Sequence, residues 1–140
     1  KGVNAKGSTW TLAIDAPVID SSVASRETIT TITQKSGQPL HMATSGGYRN
    51  SVEFNGVRYS HTINPTTAKP VAGSAPSVTV LHDSTALADG WATALTAVPY
   101  DDALQMANDH HIKALFIIEN VDGKGFKLVK SDALTEFDAK

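Results

Sequence analysis

The chain has 140 residues, with 12 Lys+Arg against 14 Asp+Glu, a formal net charge of −2 and no cysteine. Hydrophobic residues at 41% and charged residues at 19% make a folding composition, and a chain of this length can bury roughly two thirds of its unfolded surface around one core. The slight negative balance argues against nucleic acid as a partner, the missing thiols exclude disulfides, thiolate zinc sites and cysteine nucleophiles, and no apolar run nears the roughly 18 residues that span a bilayer. The opening KGVNAKGSTW has neither Met nor the charged-then-apolar layout of a signal peptide, which leads us to expect a piece of a longer protein.

Residues 9–15 alternate, with Trp10, Leu12 and Ile14 on one face, and predict a half-buried strand that stops at Ala16-Pro17. Residues 27–34 (ETITTITQ) are β-branched at most positions and predict a second strand. Ser36-Gly37-Gln38-Pro39 turns the chain, and residues 40–44 are expected to pair back. Asn55-Gly56 stands between the β-rich runs SVEF and VRYSHTI, and both residues accept the positive φ of a type I′ hairpin turn. On the outgoing strand Tyr59, His61 and Ile63 fall on one face, and Pro65 and Pro70 bracket a loop, NPTTAKP.

Residues 77–82 (SVTVLH) predict another strand. Asp83 or Ser84 can cap a helix that runs to about Val98 and ends at Pro99. Its expected buried stripe is Leu87, Trp91, Leu95 and Val98. A second helix is expected over 101–110, followed by strands at 113–119 and 126–130 joined by an Asp-Gly-Lys-Gly turn. Strands, then helices, then strands predict an α+β fold: a mixed or antiparallel sheet with the Asn-Gly hairpin and two helices packed on it. Neither an internal repeat nor a domain boundary is visible.

Three places could carry chemistry. Asp89 and Thr93 are four residues apart on the predicted helix, so a carboxylate and a hydroxyl share one face and could offer hard oxygen ligands to Mg²⁺. On spacing alone, an exposed Asp and a Thr bonded back to its own helix is the better-supported reading. His61 ends a strand beside a Pro-containing loop and could exchange a proton near neutral pH, though an isolated His is more often an ordinary polar residue. Thr44-Ser45-Gly46-Gly47-Tyr48 is a small-residue turn whose amides could face an anion, but it fits no phosphate-binding signature, and taken alone a plain Gly-rich connection between strands is the better-supported reading. His82, His110 and His111 show no metal-ligand spacing and read as surface or strand-end residues.

Taken in order, ATSGGYRN (43–50), YSHTINP (59–65), the KPV that follows, SVTV and ALADGWATAL resemble the C-terminal part of the ApbE family, the FAD:protein FMN transferases. The family pattern is a Ser-Gly-x-Tyr-Arg turn, then His-x-Ile-Asp/Asn-Pro, then Ala-Asp-x-x-x-Thr about 28 residues past the His. His61 and Asp89 are 28 apart, and the resemblance covers about residues 7–134. It implies Mg²⁺-dependent cleavage of FAD and transfer of FMN to a threonine hydroxyl of a target flavoprotein, with release of AMP. By the same resemblance Asp89 and Thr93 match magnesium ligands, and His61 matches the catalytic His, as the base for the acceptor hydroxyl. Ile63 matches a position that touches FAD, and Ser45 and Gly46 match the turn beside the site.

Two departures stand out. Ala68 occupies a loop position where the family usually has Gly; if that position takes positive φ, Ala costs about 1 kcal/mol and shifts the loop. The family's N-terminal half, which carries most of the flavin pocket, has no counterpart in these residues. The chain, 1–140, is therefore expected to be the C-terminal portion of the transferase domain, to bind FAD weakly or not at all, and to be inactive alone. Its expected partners are FAD, an acceptor flavoprotein and the N-terminal half, and family habit places the protein in the periplasm as an inner-membrane lipoprotein. Two alternatives stand beside transfer: Mg²⁺-dependent hydrolysis of FAD to FMN and AMP, and a non-catalytic flavin-binding module.

Overall fold

A computed structural model describes residues 2–18, 26–48 and 51–138. The fold is α+β, and within the described residues its strands form three antiparallel sheets. β1 (Thr11–Asp15) pairs with β2 (Thr28–Thr33). A second sheet has the order β3 (His41–Gly46), β7 (Ser77–His82), β8 (Lys113–Glu119), β9 (Phe126–Lys130). The third joins β4 (Val52–Phe54), β5 (Val57–Asn64) and β6 (Lys69–Ala72). Three helices complete the set: α1 (Thr85–Thr96), α2 (Tyr100–Asp109) and α3 (Asp132–Asp138).

The period of two in β7 and β8 explains how one sheet feeds two cores. Val78, Val80, Ala114 and Phe116 pack with Ala88, Ala92 and Leu95 of α1 and with Ala103 and Ala107 of α2. The alternate residues Leu81, Leu115 and Ile117 meet Ile14, Ile29 and Ile32 of the β1–β2 sheet and Leu134 of α3. Both faces of β7 and β8 are thereby covered, and each fully buried large apolar side chain is worth about 1.5–3 kcal/mol relative to exposure. Ser131 ties the seam: its Oγ donates to the Ile112 carbonyl at 2.6 Å and accepts from the Ala114 N–H at 2.9 Å.

Several expectations need correction. Residues 40–44 do not pair back on the preceding strand; β3 pairs with β7, His41 opposite His82 through Gly46 opposite Ser77. The buried stripe of α1 is Ala88, Ala92, Leu95 and Thr96, whereas Leu87 is 52% exposed. Alanines let the helix axis lie close to the sheet, which turns Leu87 outward while Trp91 and Val98 pack at the margin of the core. The helices number three among the described residues, α3 being the one not foreseen. The stretch read as a loop from Pro65 to Pro70 is shorter, since Pro70 already sits in β6 opposite Ile63. Along the expected face burial rises from Trp10, just before β1, at 42% exposed to Ile14 within it at 3%.

Candidate active site

β3 and α1 are fastened at two points. The His41 Nδ1 lies 3.0 Å from Thr85 Oγ1, and Ser45 Oγ lies 3.2 Å from Thr93 Oγ1. Four residues of strand rise about 13 Å and eight residues of helix about 12 Å, so the two contacts are in register and α1 runs in the same sense as β3. Thr85, Asp89 and Thr93 recur every four residues and form one stripe. Asp89 is therefore held one turn from each pinned threonine, along the open edge of β3. Both Asp89 and Thr93 are exposed, and beside them Gly90 has no atom within 4 Å of where a Cβ would stand.

The turn after β3 leads from this edge toward the third sheet. A Cβ on Gly46 would stand 2.9 Å from the Tyr48 ring, and one on Gly47 3.0 Å from Ser60 Oγ, so the chain passes here only because neither residue has a side chain. The Gly47 N–H donates to the Pro76 carbonyl at 3.1 Å. Arg49 and Asn50, the end of the same motif, lie outside the described residues. The path thus runs from Thr93 to Ser45, along the chain to Gly47 and on to the neighbouring Ser60, with His61 next along the chain.

His61 stands in an irregular stretch of β5. The register passes from Tyr59 opposite Ala72 to Ile63 opposite Pro70, so three residues of β5, Ser60 to Thr62, face one residue of β6. Ser60 Oγ accepts the Thr62 N–H at 3.1 Å, supplying locally the partner that the ladder withholds. Burial still alternates along the stretch, with Ser60 buried and His61 and Ile63 exposed on either side of Thr62. Bulges of this kind re-aim a side chain; His61 is exposed, and Ile63 is 50% exposed. No hydrogen bond or ion pair joins His61 to Asp89 or Thr93 among the described residues.

A cavity of about 500 Å³ lies beside this path, lined among others by Tyr48, Val57, Ser60, Pro76, Tyr100 and Ile118. None of Ser45, Gly46, His61, Ile63, Asp89 or Thr93 lines it, although Gly47 and Ser60 do. Tyr48, Ser60 and Tyr100 are thus site candidates that the sequence reading passed over. The signals for two of them were present, since Tyr48 closes the turn motif and Ser60 precedes His61. Burial, with the Asp101 carboxylate adding to it, pushes the Tyr100 phenol above its ordinary pKa. Its ring meets Phe116 edge-on at 5.7 Å.

Within the described residues no cluster of three or more His, Cys, Asp or Glu could by itself cage a metal. A single carboxylate with one or two hydroxyls nevertheless suits Mg²⁺, which keeps several waters and takes phosphate oxygens from a substrate. Asp89, Thr93 and the adjoining Ser45 hydroxyl offer only hard oxygens, and the space beside Gly90 is open. These residues fit the ion.

A family model described as the ApbE family matches residues 1–116. A FAD:protein FMN transferase of Vibrio cholerae is 37% identical over 140 residues, which is 100% of this chain and 39% of the relative. The apo flavinyl transferase ApbE of Pseudomonas stutzeri matches with a TM-score of 0.73 at 33% identity, covering 97% of this chain and 39% of that one. The flavin transferase ApbE of Vibrio cholerae gives 0.67 at 34% identity, over 97% of this chain and 40% of that one. The chain thus spans about two fifths of the length of these relatives.

Proposed function

The chain belongs to the ApbE family, and from that premise we propose that it supplies the reacting edge of an enzyme that moves FMN from FAD to a threonine hydroxyl of a flavoprotein, releasing AMP. The observation that carries this reading is the short path from Thr93 to Ser45, which touch through their hydroxyls, and along the chain to Gly47, whose missing side chain leaves room for Ser60; it brings the helix bearing Asp89 near the strand bearing His61. Asp89 and Thr93 would hold Mg²⁺, which when bound supplies neutralising charge for the pyrophosphate oxygens. His61 takes the proton of the acceptor Thr Oγ as that oxygen bonds to the FMN phosphorus. The P–O bond to the adenylate half breaks, and AMP leaves with the bridging oxygen. An alcohol is far too weak an acid to ionise unaided, so a base at this point is what the step needs.

FAD would lie along the Ser45-Gly46 turn and against Ile63. The adjacent cavity has the size usual for small-molecule sites; Tyr48, Tyr100, Val57 and Ile118 offer surface for a flat ring system, and Ser51, Ser60 and Ser74 offer hydroxyls beside it. Since His61, Asp89 and Thr93 are all exposed, water can also reach them, and hydrolysis of FAD to FMN and AMP is the second reading. The periplasmic, lipid-anchored placement is supported by family resemblance alone; protease accessibility of the native protein in spheroplasts tests it.

The test uses a chimera in which this chain replaces the stretch it matches in the Vibrio cholerae relative. With FAD, Mg²⁺ and a threonine-bearing acceptor, it should yield a fluorescent flavin band on a denaturing gel together with AMP. Asp89→Ala should lower AMP release by about 100-fold or more, while the 140-residue chain alone should release none. Free FMN without the band would indicate hydrolysis. Flavin binding with no AMP would leave only a binding module.

A further inference from the structure

Asparagine is among the chemically labile side chains, and the fold treats one of its asparagines differently from the rest. Asn4 Oδ1 accepts the N–H groups of Lys6 and Ser8 at 2.9 and 3.1 Å. Asn64 Oδ1 accepts those of Thr66 and Thr67 at 2.9 and 3.2 Å, and the residue after it, Pro65, has no N–H. Asn108 Oδ1 accepts the Asp132 N–H at 3.0 Å, and Asn120 Nδ2 donates to the Lys124 carbonyl at 2.6 Å. Asn50 lies outside the described residues. Among the described asparagines, Asn55 alone has a side-chain amide with no hydrogen bond. It is also the only asparagine in the sequence followed by glycine.

Asn55 and Gly56 are the exposed turn residues between the paired Phe54 and Val57. Within the described residues no hydrogen bond holds the Gly56 N–H, and no atom stands within 4 Å of where a Gly56 Cβ would be. Nothing therefore screens the Gly56 nitrogen from Asn55 Cγ. β4 is three residues long and exposed throughout, so the turn can open without disturbing a core. We infer that Asn55 is a modification site, at which the chain deamidates through a succinimide to isoaspartate. The Gly56 nitrogen bonds to Asn55 Cγ and gives up its proton, the Cγ–Nδ2 bond breaks, and Nδ2 leaves with that proton as ammonia. Water then opens the imide. Addition at the Asn55 main-chain carbonyl breaks that carbon's bond to Gly56 and leaves isoaspartate, whereas addition at Cγ leaves ordinary aspartate. Both products carry a new carboxylate, but isoaspartate also routes the main chain through the former side chain and adds a carbon to a two-residue turn. The Phe54–Val57 pair no longer closes across it, and β4 is released from β5, the strand that carries His61. The transfer chemistry does not enter this inference.

The 140-residue chain is incubated in mildly alkaline buffer, with circular dichroism following the fold, and then digested with trypsin. The peptide from Asn50 to Arg58 is compared with the same sequence synthesised and incubated as a free peptide. Fragment masses separate Asn55 from Asn50, and a carboxyl methyltransferase specific for isoaspartate, with a labelled methyl donor, counts that product. Asn55 should convert at least about ten-fold faster than each other asparagine, and within about ten-fold of the free peptide. Conversion slower than either limit would overturn the inference, since the folded turn would then shield the amide. Aspartate formed without isoaspartate would overturn it as well. Asn55→Asp supplies the charge without the extra carbon. Amide exchange at Val57 and Tyr59 should quicken in the isoaspartyl chain and not in that variant, with the urea midpoint of both unchanged. Equal exchange in the two chains would refute the release of β4. None of these readouts depends on FMN transfer, so this inference and the proposed function can fail separately.

Discussion

The two regions that meet at the candidate site are built very differently. α1 stands on β7 and β8, where Val78, Val80, Ala88, Ala92, Leu95 and Phe116 are all fully buried, and it is pinned to β3 at both ends. The β4–β5–β6 sheet, by contrast, buries only Ser60 and Val71 below a tenth of their surface among its described residues, and its ladder is broken beside His61. The oxygen donors are therefore fixed by packing, whereas the imidazole rests on a thin sheet held by a few contacts. Placement errors of about 1 Å can cost some 100-fold in rate, so the thinly supported strand is the region where small changes of packing should matter most.

The comparison can be broken or sharpened by substitution. The largest effect is expected for His61→Ala in the chimera, which should lower flavin transfer by about 10²–10⁴-fold, the range for loss of a general base. Circular dichroism should show no change of fold, because the residue is exposed. Phe116→Ala should remove about 3–5 kcal/mol of stability by urea titration; if hydrogen exchange then quickens equally in the hairpin and in β7, the two regions are not separate units.

Smaller effects report on the hairpin sheet and its neighbour. Ala68 takes φ 54°, the left-handed region the usual Gly would occupy, and its N–H donates to the Asn64 carbonyl at 2.8 Å. Ala68→Gly should therefore stabilise the chain by roughly 1 kcal/mol, read as a higher urea midpoint. The raised pKa of Tyr100 means that the folded chain holds the phenol proton more tightly than the unfolded one. The corresponding stability is whole below the ordinary phenol range and is lost as pH rises through the raised value. Tyr100→Phe keeps the ring on Phe116 and should flatten that alkaline decline in midpoints measured across pH.

Much of this arrangement is legible in the residues themselves, and the failures have physical causes. Asn55 and Gly56 take φ of 52° and 73°, and β7 and β8 are buried on both faces as their near-continuous apolar runs allow. The partner of β3 is hidden because it lies more than 30 residues away, a pairing that local pattern cannot choose. Leu87 misleads because helical spacing marks a stripe without saying whether alanines will draw the axis in and rotate a larger neighbour out. The stretch around His61 is illegible for a related reason: its pairing register breaks where Ser60 serves both as partner to Thr62 and as neighbour to Gly47. The motif order pointed to the ApbE family, which composition and periodicity alone could not do.

The double fastening of α1 to β3 has one more consequence. Because strand and helix advance by nearly equal lengths between the two contacts, the helix is gauged against the strand, and eight residues from Thr85 to Thr93 is a fixed measure. One residue inserted between them would swing Thr93 by about 100° and lift it by about 1.5 Å. Ser45 would then face a different side chain, and Asp89 would leave the strand edge. Changes of length should be tolerated in the turns of this protein and not in that helix.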